Sequence, residues 1–326
     1  MDVPTRPQIL DMLTVGEPLA LFVAQQPGDL AAVDNFQRFA AGAELNVATG
    51  LARLGLRVAY LSKVGEDSFG HFVRCTLDAE AIDTRYLLTD PQHGTGFMLK
   101  GRTADGSDPP IEYHRRGSAA SHLGLADWQS LHAGAAFPAR HLHLTGITPA
   151  LSASTRELVF ELASQARAAG ASVSFDPNLR PRLWPSEAAM VECVNALASH
   201  AGGTVLPGLT EGRVLTGLQH PQDIADFYLR RGAQRVLVKL AAQGAYFADA
   251  QGCSAMLAAQ VVSQVIDPVG AGDGFAVGVI SALLEGLDLA DACARGNAIG
   301  ARVLQFSGDA EGLPTRAQLQ QESQQG

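Results

Sequence analysis

Asp267-Pro268-Val269-Gly270-Ala271-Gly272-Asp273-Gly274 stands between a β-like run, Ala259 to Ile266, and an apolar helical run, Phe275 to Leu284. Gly270, Ala271 and Gly272 are small residues placed where main-chain N–H groups at a helix N-terminus can point at an anion. Asp273 then stands in the first helical turn. A carboxylate is favoured there by the helix dipole alone, which is the plain alternative to a chemical role. Two other phosphate-binding patterns do not fit. A dinucleotide fingerprint needs glycine three residues after Gly272, where Phe275 stands, and a P-loop needs Gly-Lys-Ser/Thr. An anion hole beside a carboxylate base remains. Phosphoryl transfer to a hydroxyl needs both: the first stabilises charge, the second orients and deprotonates the attacking group.

Outward from this stretch, short β-like runs alternate with helical ones. Strands are predicted over Ile9–Val15, Arg57–Val64, His141–Leu144, Ala171–Phe175, Thr204–Leu206, Arg235–Leu240 and Ala245–Ala248. Helices are predicted over Glu44–Leu54, Ser68–Ala79, Ser152–Ala169, from Ser186 onward, and over about Ala271–Glu285 and Leu289–Gln305. This alternation predicts an α/β fold with a mainly parallel sheet covered on both faces. Residues 19–41 and 95–116 break the rhythm, with strand-like stretches, polar turns and a turn cluster at Asp105–Pro110. They are expected to form a small β-sheet lid on a main domain made of 1–18, 42–94 and 117–326. The Gln-rich tail after Thr315 is expected to be a helix or a frayed end.

The chain has 326 residues, 47% hydrophobic and 17% charged, which excludes a disordered protein. No apolar run is long enough to span a membrane. Met1 to Ile9 lacks the apolar centre of a signal peptide, so the cytoplasm is the expected compartment. Cys75, Cys193, Cys253 and Cys293 are scattered and read as buried thiols of a reducing compartment. A net charge of −9 argues against a nucleic-acid partner. His141 and His143 share a strand face, but strand alternation accounts for them without a metal.

A second motif lies far upstream: Ala41-Gly42-Ala43-Glu44-Leu45-Asn46-Val47-Ala48, continuing through Leu51-Ala52-Arg53-Leu54-Gly55 to Val64-Gly65-Glu66-Asp67-Ser68-Phe69-Gly70. Together with the glycine-rich stretch it resembles the paired signatures of the ribokinase-like (PfkB) sugar kinases, in the same order, over roughly Leu13 to Asp309. Pro268 replaces the family's usual threonine, and Ala41 the first of two glycines. The resemblance implies a three-layer α/β sandwich with a β lid, and ATP and Mg²⁺ as cofactors. It leaves a monovalent cation open. It makes Asp273 the catalytic base, Gly270, Ala271 and Gly272 the anion hole, and Gly42 and Asn46 sugar contacts. In Pro207-Gly208-Leu209-Thr210-Glu211, Glu211 matches an acid that helps hold Mg²⁺ through water, with Gly208 replacing the usual asparagine. Glu211 reads equally as a first-turn helix acid. Lys239 and Gly244 match a strand-turn-strand near the nucleotide, although Lys239 also suits a structural strand end. Asn297 and Gly300 resemble positions lining the adenine pocket.

Substrate class is read from arginines. Arg180 in Asp176-Pro177-Asn178-Leu179-Arg180-Pro181-Arg182-Leu183-Trp184 follows a predicted strand, at the sheet end where ligands bind. Its guanidinium suits a carboxylate; a surface arginine in a Pro-rich loop is the alternative. Tyr113 and Arg115 lie two apart on one strand face, closing over a small anion or forming an amphipathic edge strand. With Gly16-Glu17-Pro18-Leu19, these segments resemble the 2-keto-3-deoxygluconate kinases. That resemblance implies transfer of the ATP γ-phosphate to the 6-hydroxyl of a small sugar acid, with Arg180 and Arg115 on its carboxylate or neighbouring oxygens and Tyr113 on a hydroxyl. Fructokinases and 5-dehydro-2-deoxygluconate kinases share much of the pattern. A non-catalytic sugar-binding regulator is disfavoured, since a pure binder needs no base. Unpaired lid edges invite a homodimer through the lid.

Overall fold

A computed structural model describes residues 9–103, 109–132, 134–262 and 264–325, with backbone alone for 322–325. Most of the Met1–Ile9 segment and residues 105–108 of the expected turn cluster lie outside these. The strands are β1 (Met12–Val15), β2 (Leu19–Ala24), β3 (Phe36–Ala41), β4 (Val58–Gly65), β5 (Leu87–Asp90), β6 (Phe97–Lys100), β7 (Ile111–His114), β8 (His141–Thr145), β9 (Ser172–Asp176), β10 (Thr204–Val205), β11 (Arg235–Lys239), β12 (Ala245–Asp249) and β13 (Ser254–Leu257). A nine-stranded sheet runs β13-β12-β11-β10-β9-β8-β1-β4-β5, and a four-stranded sheet runs β3-β2-β6-β7. In the large sheet, every pair from β11 to β5 is parallel; β12 and β13 add antiparallel strands at one edge.

Alternation along the strands splits the core into two layers. Met12, Val58, Tyr60 and Leu237 face one cluster, which takes in the helices Ala43–Arg53, Ser68–Ala79, Ala271–Leu284 and Leu289–Val303. Leu13, Ala59, Leu61, Val236 and Val238 face the other, with Ala153–Ala168, Glu187–Ala201 and Pro221–Leu229. A sheet buried on both faces explains the near-continuous apolar strands. The helix starts follow from capping. Asp67 accepts the amide of Gly70, Ser186 that of Ala189, and Ser152 and Thr155 form a capping box.

The expected α/β sandwich and small sheet are both present. Two expectations are corrected. Of the cysteines expected to be buried, Cys293 is, but Cys193 is half-buried and Cys75 and Cys253 are exposed. The run Ala259–Ile266 forms no strand where it is described; the strand ahead of the glycine-rich turn is β13, ending at Leu257. Beyond it the chain leaves the sheet edge. Asn297 Nδ2 donates to the carbonyls of Leu257 and Ala258 at 3.4 and 3.2 Å, and Val261 is 99% exposed. A β-branched run without a neighbouring strand stays irregular. The tail forms a helix, Arg316–Gln325. His141 and His143 contact the hydroxyls of Ser172 and Ser174, and burial lowers both to about 3. No helix among the described residues is long and apolar enough to cross a membrane.

Candidate active site

The sheet order reverses at β1, which has β4 on one side and β8 on the other. Ligands of such sheets bind beyond the carboxyl ends of the strands at this point. Glu17 lies just past β1, Thr145 ends β8, Asp176 ends β9 and Lys239 ends β11. They share a cavity of about 280 Å³ with Gly42, Glu44, Asn46, Asn178, Arg180, Glu211, Gly270, Gly272, Asp273 and Asp309, except for Thr145, which stands behind its wall. The four-stranded sheet closes the other side through Leu19, Met98, Ile111, Tyr113 and Arg115.

Asp273 sits in the first turn of the helix Ala271–Leu284. Asn46 Nδ2 donates to its Oδ2 at 2.7 Å, and Asn178 Nδ2 lies 3.5 Å from its Oδ1. One carboxylate oxygen is thus oriented and the other is lightly held. Burial, reinforced by the charges of Asp176 and Asp309, pushes Asp273 up to about 7, against the pull of Asn46 and Lys239. That value suits a base working near neutrality. Asn46 Oδ1 is buried without a hydrogen-bond partner among the described residues. A ligand hydroxyl donating to it would remove that cost.

The turn before Asp273 is packed tightly. Gly270 has φ +86°, and a Cβ there would stand 2.3 Å from the Asp309 carbonyl oxygen, so neither backbone nor space admits another residue. Gly272 differs: a Cβ would meet nothing nearer than Lys239 Nζ, at 3.5 Å, and would occupy cavity space. Lys239 Nζ donates to Asp176 Oδ2 at 2.6 Å. Burial disfavours this ammonium, but Asp176 and Glu211 outweigh it and keep its pKa raised. Glu211 accepts the amides of Leu179 and Gly208, both at 2.8 Å, one on each oxygen. It is therefore a first-turn helix acid that also faces the cavity.

The two candidate arginines differ in what holds them. Arg115, expected on the substrate carboxylate, has Nε 2.5 Å from Glu17 Oε2, and Nη2 pairs with the same carboxylate. Ser118 Oγ donates to the other oxygen of Glu17. Its charge is thus already balanced. Arg180 makes no direct salt bridge among the described residues, although its charge pulls on Asp309; its Nη1 donates to the Leu179 carbonyl at 2.9 Å. Tyr113 stands at the rim, 42% exposed. Gly244, Asn297 and Gly300 are not brought into the cavity. Gly244 turns from β11 to β12, Asn297 clamps the carbonyls after β13, and Gly300 packs against the Ala271 carbonyl. Glu17, Glu44, Asp176, Asn178 and Asp309 were not singled out by sequence. Glu44 is buried under the cavity, accepts from Thr145 and Thr148 Oγ1 at 2.6 and 2.7 Å, and is raised by burial. Its position in the upstream motif, beside Asn46, was the available signal.

A buried carboxylate raised to about 7 in the first turn of a helix that begins with glycines, over a cavity lined with polar groups, is an arrangement that suits phosphoryl transfer to a small hydroxyl compound. The chain belongs to the pfkB family of carbohydrate kinases, whose profile matches residues 11–316. It is a sugar kinase with the ribokinase-like fold. It is 46% identical over 317 residues to a 2-dehydro-3-deoxygluconokinase of Bacillus subtilis (strain 168), covering 95% of this chain and 94% of that protein. A 2-dehydro-3-deoxygluconokinase of Thermoproteus tenax is 31% identical over 314 residues, covering 94% and 92%. Among solved structures, a PfkB protein from Polaromonas sp. JS666 superposes with a TM-score of 0.86 at 49% identity, covering 95% of this chain and 99% of that one.

Proposed function

We propose that this kinase phosphorylates the 6-hydroxyl of 2-keto-3-deoxygluconate (2-dehydro-3-deoxygluconate) or a close keto-deoxy sugar acid. The observation that carries this reading is Arg180, a cavity cation that makes no direct salt bridge among the described residues, although its charge reaches Asp309. A guanidinium holds both oxygens of a ligand carboxylate at once. Asn46, Gly42 and Tyr113 serve the hydroxyl end. Arg115 acts through Glu17, whose carboxylate it holds in place for a sugar hydroxyl. Asp273 takes the proton of the attacking hydroxyl on the oxygen that Asn46 leaves free.

ATP and Mg²⁺ supply the phosphoryl group and a cation to share its charge. Both fit this chain. A Cβ at Gly272 would fill space beside Lys239 Nζ, which suits a phosphate oxygen, and the amides of Gly270 to Asp273 serve as the anion hole. Mg²⁺ keeps most of its waters and takes one or two carboxylates, and Glu211 has lone pairs left for a water-mediated contact. Gly244, Asn297 and Gly300 shape the nucleotide side from behind the cavity wall.

Residues 19–41 and 95–116 act as the lid of this reading, and 1–18, 42–94 and 117–326 as the body. The edge strands β3 and β7 offer unpaired backbone through which two copies pair, and the cytoplasm is the setting that goes with an ATP-dependent enzyme. The test is a coupled kinase assay with 2-keto-3-deoxygluconate, 5-dehydro-2-deoxygluconate, fructose, ribose and adenosine. The keto-deoxy acid is expected to give the highest kcat/KM. A preference for fructose or adenosine would remove the acid assignment.

A further inference from the structure

One charged cluster adjoins the machinery above and shares Asp309 with the cavity wall. Lys100 ends β6 of the four-stranded sheet and is 1% exposed. Its Nζ reaches into the main body, donating to Asp267 Oδ2 at 2.6 Å and to Asp309 Oδ1 at 3.0 Å. Both aspartates are themselves buried, 7% and 5% exposed. Both also shape the turn that precedes Asp273. Asp267 Oδ1 accepts the Val269 amide at 3.0 Å. The Asp309 carbonyl abuts Gly270 so closely that no Cβ fits between them. Two buried carboxylates this near each other are stable only if one holds its proton or a cation sits between them, because an unpaired buried charge is strongly destabilising. The chain supplies that cation itself, so a soluble monovalent cation does not fit here: its place between the carboxylates is taken by the Lys100 ammonium.

We propose that Lys100 is the built-in counter-ion of the anion-hole turn, a positioning residue that frees phosphoryl transfer from any soluble monovalent cation. The inference rests on the anion-hole reading of Gly270 to Gly272. Lys100 acts through Asp267 and Asp309, not on the substrate. Because it comes from the small sheet, the same contact joins the wall of the substrate cavity to the turn on the phosphate side.

The test compares wild type and Lys100→Met in potassium, ammonium and tetramethylammonium chloride at one ionic strength. Wild-type turnover is expected to be the same in all three. Lys100→Met is expected to lose about 10²-fold in kcat in tetramethylammonium, the scale of a disturbed oxyanion site, with KM for the sugar little changed. Potassium or ammonium, small enough to sit between the carboxylates, should restore much of that loss. Thermal melting without substrates reads the same point independently of activity. The variant should melt higher in potassium or ammonium than in tetramethylammonium, and wild type should show no difference. If Lys100→Met does not fold, Lys100→Met/Asp309→Asn, with one carboxylate fewer to balance, replaces it with the same expected ranking of cations. Wild-type turnover or melting that rises several-fold or several degrees with potassium overturns the proposal, as does a loss that no small cation repairs. Failure of wild type to phosphorylate any sugar would instead defeat the functional reading, and melting would still decide the role of Lys100.

Discussion

The two sides of Asp273 are built differently. On the expected substrate side, many separate stretches of chain meet around the cavity, and charges there have fixed partners: Arg115 with Glu17, and Glu44 with two threonine hydroxyls. On the expected nucleotide side, Gly244, Asn297 and Gly300 stand back from the cavity, and Val261, Val265 and Ile266 lie 99%, 43% and 47% exposed. The difference teaches where exact placement is demanded. A hydroxyl and a carboxylate are recognised by a few directed bonds, so each replacement there has a large effect. A nucleotide base held by glycines and apolar surface depends on many small contacts.

The largest effect is expected where the two sides meet. Asp273→Asn should reduce kcat by about 10² to 10⁴, the contribution of a positioned general base. The wild-type pH profile should rise with pH through about 7, where Asp273 loses its proton, and the variant should lack that limb. Stability should move the opposite way. The folded pKa lies above the ordinary carboxylate value of 3.8, so the folded state holds the proton more tightly. Wild type therefore loses stability as pH rises from about 4 to 7, and Asp273→Asn should melt higher than wild type at pH 8. Equal turnover in both proteins would remove Asp273 from the mechanism.

Gly272→Ala probes the phosphate side of that junction. Its Cβ meets no protein atom closer than 3.5 Å, so folding should be normal. Turnover should fall by about 10²- to 10³-fold, the cost of a lost oxyanion contact, with sugar binding unchanged by calorimetry. Sugar affinity falling as far as turnover would mean the turn belongs to the substrate side.

Arg180→Lys tests the substrate side alone. A charge-assisted hydrogen bond is worth about 1.5–3 kcal/mol, so KM for the sugar acid should rise about 10- to 150-fold. The KM for fructose, which has no carboxylate, should barely move. Equal losses for both sugars would make Arg180 a shaping residue.

The smallest effect is expected on the nucleotide side. Asn297→Ala removes one neutral amide donor shared between two carbonyls, worth about 0.5–1.5 kcal/mol in all. It should raise KM for ATP about 2- to 10-fold and leave KM for the sugar acid alone. A larger shift for the sugar would erase the contrast between the two sides.

Much of this was legible in the sequence because local chemistry set it. Ser152 and Ser186 start their helices by capping, and the glycine turn leads directly into Asp273; the helix read as capped by Ser68 is capped one residue earlier, by Asp67. What stayed hidden depends on distant partners. Arg115 and Arg180 look alike as residue types, and only the fold sets Glu17, 98 residues away, against the first. Lys100 meets Asp267 across 167 residues, and no spacing rule links them. The run Ala259–Ile266 has the composition of a strand but no strand beside it, so composition misled.

The central position of β1 also sets a timetable for synthesis. Thr14 Oγ1 donates to the His143 carbonyl, 129 residues later in the chain. At about 5–20 residues per second, that neighbour emerges roughly 6 to 26 s after the strand it must join. The bond between Asn46 and Asp273 spans 227 residues. A growing chain can pair β1 with β4 early and wrap the helix Ala43–Arg53 over them, but the other edge of β1 stays unpaired until β8 arrives. On the ribosome, Asn46 is therefore made long before the Asp273 it is to hold, and β1 waits with one edge unpaired in the meantime.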